Sequence, residues 1–366
     1  MKWLQVYAMA WLVTAALSAV ATLVGRRIAP GLGFVDSPMK EKHKRHGREV
    51  PVLGGAAMLL AWLVVIAAGL LISSTCQRLL SPRLAVYLPG IQTVLPQLVW
   101  IVGGAVAMVG LGLADDRWAL GAFTKFAGQF CVAGAVACYG VRVTIFWSHP
   151  VITWGITTFW ILLIINALNF FDNMDGLAAG TAAIAAFLFA FAAGIRGQYF
   201  VAVLAAVTCG TASGFLLHNR PPASIFMGDA GSHFLGYVLA VLGSLTTYYT
   251  PAESPTPAPI LIPLFILGLP IFDAFAVVVM RLYRGQPIYV GDHTHISHRF
   301  TRLGMSRSQA VLLVYLLNFT IGAAAISLLW LPLAGTVMVF LQALAVLTAI
   351  SLIQYFGSPG KKEQPC

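Results

Sequence analysis

Charge is what this chain has least of. Only 9% of its 366 residues are Asp, Glu, Lys or Arg, against 59% hydrophobic. A water-soluble surface needs far more, so a soluble enzyme is excluded. Cysteine is also sparse: Cys76, Cys131, Cys138, Cys209 and Cys366 show no metal or redox spacing. That argues against a zinc module or a disulfide scaffold. No internal repeat, low-complexity tract or soluble segment interrupts residues 1–366, so a single integral membrane domain is expected. The formal charge is +10, but no basic helix or aromatic platform accompanies it, which argues against nucleic acid. The final "EQPC" is no prenylation box.

What is present is long apolar runs. Mean hydropathy is +0.85, and stretches of about 20 residues recur, the length that crosses a bilayer. Eleven spans are expected: 3–25, 52–72, 95–113, 122–140, 156–171, 176–195, 199–217, 232–248, 259–280, 309–330 and 333–354. The first is too long for a signal peptide, and its basic cluster follows it, so it reads as an uncleaved anchor. Between spans four and five, "GVRVTIFWSHPVITWG" is polar and β-branched and reads as a small extracytoplasmic β-hairpin. With alternating spans, 17 of the 22 Lys and Arg residues fall on the side of the 26–51 gap. By the positive-inside rule that side is cytoplasmic, with the N-terminus out and the C-terminus in. Ten of the twelve acidic residues fall in gaps on the same side, and Glu253 falls on the other. Acids do not follow that rule, so their clustering needs a cause, and a site is the obvious one.

Four inside gaps carry the chemistry. "GLADDRWALGAFTKFAGQ" sets Asp115 beside Asp116, with Lys125 ten residues on. Adjacent carboxylates repel unless a cation offsets them, although a solvated acidic turn is an even alternative. "INALNFFDNMDGLAAG" places Asn166, Asn169, Asp172 and Asp175 in steps of three, a spacing that shares a helix face. Helix capping explains one of those acids and not the set. "LLHNRPPASIFMGDAGSHFLG" flanks Asp229 with small residues that let a ligand approach backbone. There Ser232 or Asp229 could cap the eighth span, and His233 reads as a satisfied helix histidine. "RLYRGQPIYVGDHTHISHRFTRLGMS" alternates Arg281, Arg284, Arg299 and Arg302 with His293, His295 and His298. Arg forks suit phosphate oxygens. A zinc site built on H-x-x-H alone lacks a third ligand.

In order, these segments resemble the polyprenyl-phosphate N-acetylhexosamine-1-phosphate transferase superfamily, glycosyltransferase family 4. The likeness runs from Asp36 to about Ser306. "VDSPMKEKHKRHGREVPVLGG" is similar to the family's first cytoplasmic loop, and "DDRWALGAFTKFAGQ" to its aspartate-pair motif with a downstream lysine. "NALNFFDNMDGL" is similar to its N-x-x-N-x-x-D-x-x-D-G-L element. "MGDAGS" is similar to its metal-aspartate motif, with Asn219 ten residues earlier. "HISHR" departs from the H-x-H-H-R of N-acetylglucosamine-type enzymes by Ser297, and from the three successive His of the muramoyl-pentapeptide type.

The resemblance implies an all-α polytopic membrane enzyme of about eleven helices in a bacterial inner membrane, its active-site loops facing the cytoplasm. The implied reaction moves N-acetylhexosamine 1-phosphate, GlcNAc 1-phosphate by preference, from a UDP-sugar to polyprenyl (undecaprenyl) phosphate. UMP is released, and the lipid diphosphate-sugar initiates a cell-envelope polysaccharide. The cofactor implied is Mg²⁺, with Mn²⁺ as a substitute. Asp229, Asp116 and Asp172 are the implied metal ligands. Asp115, Asp116, Lys125, His295 and His298 are implied in catalysis, with Asp115 as base or orienting group. Asn166, Asn169, Asp172, Asp175, Asn219, Arg281 and Arg299 are implied in substrate binding. The partners are the UDP-N-acetylhexosamine, the polyprenyl phosphate and membrane lipid, and a homodimer is one option for assembly. Two other readings stay open: a phospho-N-acetylmuramoyl-pentapeptide transferase, and a proton-coupled secondary transporter.

The topology is testable with the native cysteines. Cys76 falls in an outside gap and Cys366 in the inside tail. A membrane-impermeant maleimide should label Cys76 on intact cells and Cys366 only after the inner membrane is opened. Labelling of both from one side would mean a miscounted span.

Overall fold

A computed structural model describes residues 3–36, 49–75, 87–143, 149–287 and 295–356. The chain forms two compact units, residues 1–247 and 248–366. The first contains α1 (Trp3–Ile28), α2 (Gly54–Thr75), α3 (Leu88–Trp118), α4 (Ala122–Tyr139), α5 (Pro150–Phe171), α6 (Leu177–Ile195), α7 (Tyr199–Asn219) and α8 (Gly228–Leu245). The second contains α9 (Ile262–Ile266), α10 (Gly268–Tyr283), α11 (Ile296–Arg302), α12 (Arg307–Ile326) and α13 (Leu333–Phe356). Eight of these helices are long and apolar enough to cross a membrane. A ninth span arises if Ala258–Ile266 and Gly268–Tyr283, bent by 69°, count as one. α4 and α8 are outside that set. The protein is therefore an all-α polytopic membrane protein.

The helices are patterned for lipid. In α1 the buried residues are Thr14, Ser18, Thr22 and Gly25, while Leu12, Val13, Val20 and Val24 are exposed. A soluble amphipathic helix does the reverse. In a bilayer, apolar side chains gain nothing by turning inward, and small or hydroxyl residues allow close backbone packing. α1 packs this way on α7. Ser18 donates to the Thr211 carbonyl at 2.7 Å, and a Cβ at Gly214 would lie 2.1 Å from the Ala15 carbonyl oxygen. Helix packing in the first unit then converges on α8, which contacts α2, α3, α5, α6 and α7.

The expected extracytoplasmic hairpin is corrected in part. Residues 144–148 lie outside the described residues, but 150–155 are the start of α5. Pro150 at the first helical position begins the helix earlier than its β-branched residues indicate. Val143 is held by its N–H bond to Thr157 Oγ, 2.9 Å. Among the described residues the one sheet is elsewhere. β1 (Val35–Asp36) pairs antiparallel with β2 (Val50–Pro51) in the basic gap after α1. Lys40, Lys42, Lys44, Arg45 and Arg48 lie outside the described residues.

β2 has a positional purpose. Phe226 donates to the Pro51 carbonyl at 2.9 Å, Gly54 to Phe226 at 3.1 Å and Gly55 to Met227 at 3.0 Å. This backbone stitching delivers the N-terminus of α8 against α2. Gly55 and Gly112 leave room for it: a Cβ on either would come within 2.3 Å of backbone at Gly231 or Ala230. Gly112→Val should therefore lower the stability of the detergent-purified protein by about 1–3 kcal/mol, read as a drop in apparent Tm. Gly69 meets nothing within 4 Å, so Gly69→Ala should be neutral or stabilising. Equal Tm values for the Gly112 variant and the wild type would show that α8 does not dock there.

Candidate active site

The turn between α3 and α4 doubles back on itself. Ala119 adopts a left-handed conformation at φ 49°, which costs a non-glycine residue of the order of 1 kcal/mol. Its N–H bonds to the Asp115 carbonyl at 2.8 Å, and Asp115 Oδ1 accepts from the Leu120 N–H at 2.8 Å. The chain is thereby reversed so that Lys125, in the first turn of α4, returns to Asp115. Nζ lies 3.0 Å from Asp115 Oδ2 and also contacts Asp229 Oδ2. A carboxylate at a helix C-terminus opposes the helix dipole, and the ammonium offsets it.

Asp116 points the other way. Its Oδ1 accepts from the Asp229 N–H at 2.8 Å and its Oδ2 from the Ala230 N–H at 3.2 Å. Met227 offers α8 no side-chain cap, so Asp116 supplies the cap from another helix. Capping by Ser232 or Asp229, one sequence reading of this segment, is replaced by this arrangement. Gly228, at φ +66°, makes room: a Cβ there would lie 2.4 Å from Asp116 Oδ2.

Asn169 completes the group, donating to Asp229 Oδ1 and to Ser232 Oγ, both at 2.9 Å. Asn166, one turn back, goes elsewhere. It donates to Gln129 Oε1 at 2.8 Å, and Gln129 meets the His233 ring at 3.1 Å. His233 is thus paired through Nε2, but its buried Nδ1 has no hydrogen-bond partner among the described residues, so the reading of a satisfied helix histidine holds only in part. Asp175 and Asn219 lock loops together. Asp175 Oδ2 accepts from the Ala223 N–H at 2.9 Å. Asn219, 3% exposed, accepts from the Gly176 N–H and donates to the Ile225 carbonyl, each at 2.9 Å. α6 begins at Gly176 with no side-chain cap, so helix capping is not the reason for either acid in that segment.

Asp172 differs from its neighbours. Its carboxyl accepts no hydrogen bond among the described residues. Burial first, then the charges of Asp229, Asp116 and Asp175, push it up to about 8. Burial also works against the Asp229 charge. A hydrogen bond from Asp115 and the Lys125 ammonium outweigh it and hold Asp229 below the usual carboxylate range.

This donor set is all carboxylate oxygen, which suits a hard cation. Among the described residues no three His, Cys, Asp or Glu side chains converge as a ready-made metal cage. Mg²⁺ does not require one, since it commonly takes one or two carboxylates, waters and substrate phosphates. The uncompensated Asp172 carboxyl beside Asp229 and Asp116 fits such a cation.

The second unit holds Arg281, His295, His298 and Arg299. Arg281, in the last turn of α10, is 3% exposed. Arg299 reaches the Met280 sulfur, and the His295 and His298 rings are 6.4 Å apart. His293 lies outside the described residues. One residue here is absent from the sequence-based site: Asp273 of α10, 2% exposed, whose Oδ2 is 2.7 Å from His295 Nδ1. The signal was available, because Asp273 stands within the ninth expected span, where an ionisable residue marks function by default.

Asp172 gives a stability test. Its folded value exceeds the unfolded one of about 4. Its contribution to stability is complete below about pH 4 and is lost as pH rises through about 8. With chelator present, Asp172→Asn should raise the Tm, and more at pH 9 than at pH 6. A Tm loss that grows with pH would show that the carboxylate is compensated.

Residues 98–247 match the family model for glycosyl transferase family 4. A probable undecaprenyl-phosphate N-acetylglucosaminyl 1-phosphate transferase of Bacillus subtilis is 34% identical over 93% of this chain and 92% of its own length. A decaprenyl-phosphate N-acetylglucosaminephosphotransferase of Mycobacterium tuberculosis is 31% identical over 96% and 89%. A phospho-N-acetylmuramoyl-pentapeptide-transferase of Geobacillus kaustophilus is 33% identical, but over 65% of this chain and 74% of its own. The aspartate pair, its returning lysine and the Asp229 helix start all lie inside the matched region or at its core, and the chain belongs to glycosyl transferase family 4, the polyprenyl-phosphate N-acetylhexosamine-1-phosphate transferase superfamily.

Proposed function

We propose that the protein transfers N-acetylglucosamine 1-phosphate from a UDP-sugar to a polyprenyl phosphate at the cytoplasmic face of a bacterial inner membrane. The observation that carries this is the convergence of Asp115, Asp116, Lys125, Asn169 and Asp229 at one helix start, in a chain whose near-full-length relatives are named for this chemistry. A lipid phosphate oxygen attacks the β-phosphorus of the donor. The bond from that phosphorus to the bridging oxygen breaks, UMP departs with the electron pair, and a lipid diphosphate-sugar remains.

Two anions must meet, so positioning and charge neutralisation carry most of the catalysis. Lys125 is the cation at this cluster, held between Asp115 and Asp229, and it can exchange one carboxylate for a phosphate oxygen. Asp115, bonded to that lysine and its own turn, orients the acceptor end. A phosphate with second pKa near ~6 is already largely dianionic at neutral pH, so orientation suffices. Asn169 fixes the Asp229 carboxylate, and Asp116 fixes the backbone beneath it. Mg²⁺, held by Asp229 with Asp172 and Asp116, would supply neutralisation of the donor diphosphate. Asp175 and Asn219 shape the loops beside the nucleotide, and Asn166 supports the helix that carries Asn169. In the second unit, Arg281, His295, His298 and Arg299 are the groups suited to diphosphate.

The muramoyl-pentapeptide reading is disfavoured by "HISHR" and by the shorter match to that relative. A proton-coupled transporter would place its acids near the bilayer midplane, whereas Asp115, Asp116, Asp172 and Asp229 sit at helix ends. Purified protein should release UMP from UDP-GlcNAc only with polyprenyl phosphate and a divalent cation. Asp229→Asn should remove at least about 10²-fold of that rate while the protein stays folded. UDP as the nucleotide product would sink the phosphotransferase reading, and normal turnover by the variant would reduce Asp229 to a helix residue.

A further inference from the structure

His295 stands at the N-cap of α11 in an extended conformation, φ −62° and ψ 153°. Below it, on α10, Asp273 uses both oxygens on this one corner. Oδ2 lies 2.7 Å from His295 Nδ1, and Oδ1 accepts from the Ile296 N–H at 2.7 Å. Both side chains are almost fully buried, Asp273 at 2% and His295 at 4% exposure. A buried carboxyl is costly to keep unless it is hydrogen-bonded, and a helix cap alone would need one oxygen and no histidine.

The chemistry of the contact is directional. An ionised carboxylate only accepts, so Nδ1 carries the proton and Nε2 is the nitrogen left for a ligand. The Ile296 N–H fixes the carboxylate, which in turn fixes the ring plane. Such partners orient a working histidine without touching substrate. A phosphate oxygen needs a donor at Nε2, which the ring provides on taking up a second proton. Asp273 is placed to neutralise the charge this brings.

We propose that Asp273 is a positioning residue that fixes the His295 ring and supports its doubly protonated form, so that Nε2–H can donate to a phosphate oxygen. This rests on the reading that His295 handles phosphate. It assigns a role to an acid that stands outside every motif in the inside gaps.

Asp273→Asn tests it, because the amide oxygen can still accept from Ile296 while its NH₂ faces Nδ1, so that the ring can no longer carry both protons. In the full-length protein kcat for UMP release should fall about tenfold or more, the cost of exchanging a charge-assisted hydrogen bond to phosphate for a neutral one. KM for UDP-GlcNAc should stay within about threefold, and Tm should stay near wild type. In a His295→Ala background the same change should cost nothing further, because neighbours that act through one another are non-additive. Equal losses in both backgrounds, or wild-type turnover by Asp273→Asn, would overturn the proposal. If the wild type itself releases no UMP, the reaction assignment fails, and ¹⁵N resonances of the imidazole still decide the pairing. Protonated Nδ1 in the wild type and its loss in Asp273→Asn support the role, while the same ring protonation in both overturns it.

Discussion

Everything in the first unit depends on how the start of α8 is held. Its first amides have no cap of their own, and Asp116 on α3 accepts two of them. An unsatisfied buried amide costs about 1–3 kcal/mol, so this bond locates α8 against α3 as well as satisfying it. The same helix start carries Asp229. Three further carboxyls, Asp115, Asp116 and Asp172, therefore crowd one helix N-terminus, with Lys125 as the cation bonded among them. A charge so arranged is stable only in part. Among the described residues the Asp172 carboxyl is left without a hydrogen bond, and that residual imbalance is what a cation and a substrate phosphate would relieve.

The bilayer explains the remainder of the architecture. Lipid offers helices no hydrophobic incentive to associate, so contact falls to small and hydroxyl residues. α1 turns Thr14, Ser18 and Thr22 inward and its Val and Leu residues outward. α8 is buried along most of its length because Gly55 and Gly112 let α2 and α3 approach its backbone. A site rich in carboxylates survives here because the first amides of α8 and a lysine are at hand to offset the charge.

Motif reading and geometry part company at definite residues. Asn169 and Asp229, 60 residues apart, meet at the start of α8. Asn166 lies on the same helix one turn earlier, yet it joins Gln129 and His233. Helical periodicity gives the face of a side chain and not the neighbour that face meets. Asp175 and Asn219 look like ligand residues in a linear motif, and they bond backbone across loops. The β-branched run after Pro150 reads as strand, but in this setting it is helix, since tertiary context overrides weak β-propensity. Asp273 was legible only as a lone acid within an apolar span. Nothing linear connects it to His295, 22 residues away.

The sequence by itself determined that this is a polytopic membrane protein, because hydropathy over some 20 residues is a local quantity that the bilayer reads directly. It also determined the family, because four short motifs in order carry the chemistry whatever lies between them. Only the tertiary structure decided which carboxylate does what. Asp115 and Asp116 are adjacent in the chain and opposite in direction, one bonded to Lys125 and the other to the amides of α8. Hydrogen bonds are satisfied by whatever donor the fold brings within about 3 Å, and the donors for these two acids lie up to 114 residues away. That separation is invisible to spacing, and it is why identical side chains at neighbouring positions hold different offices.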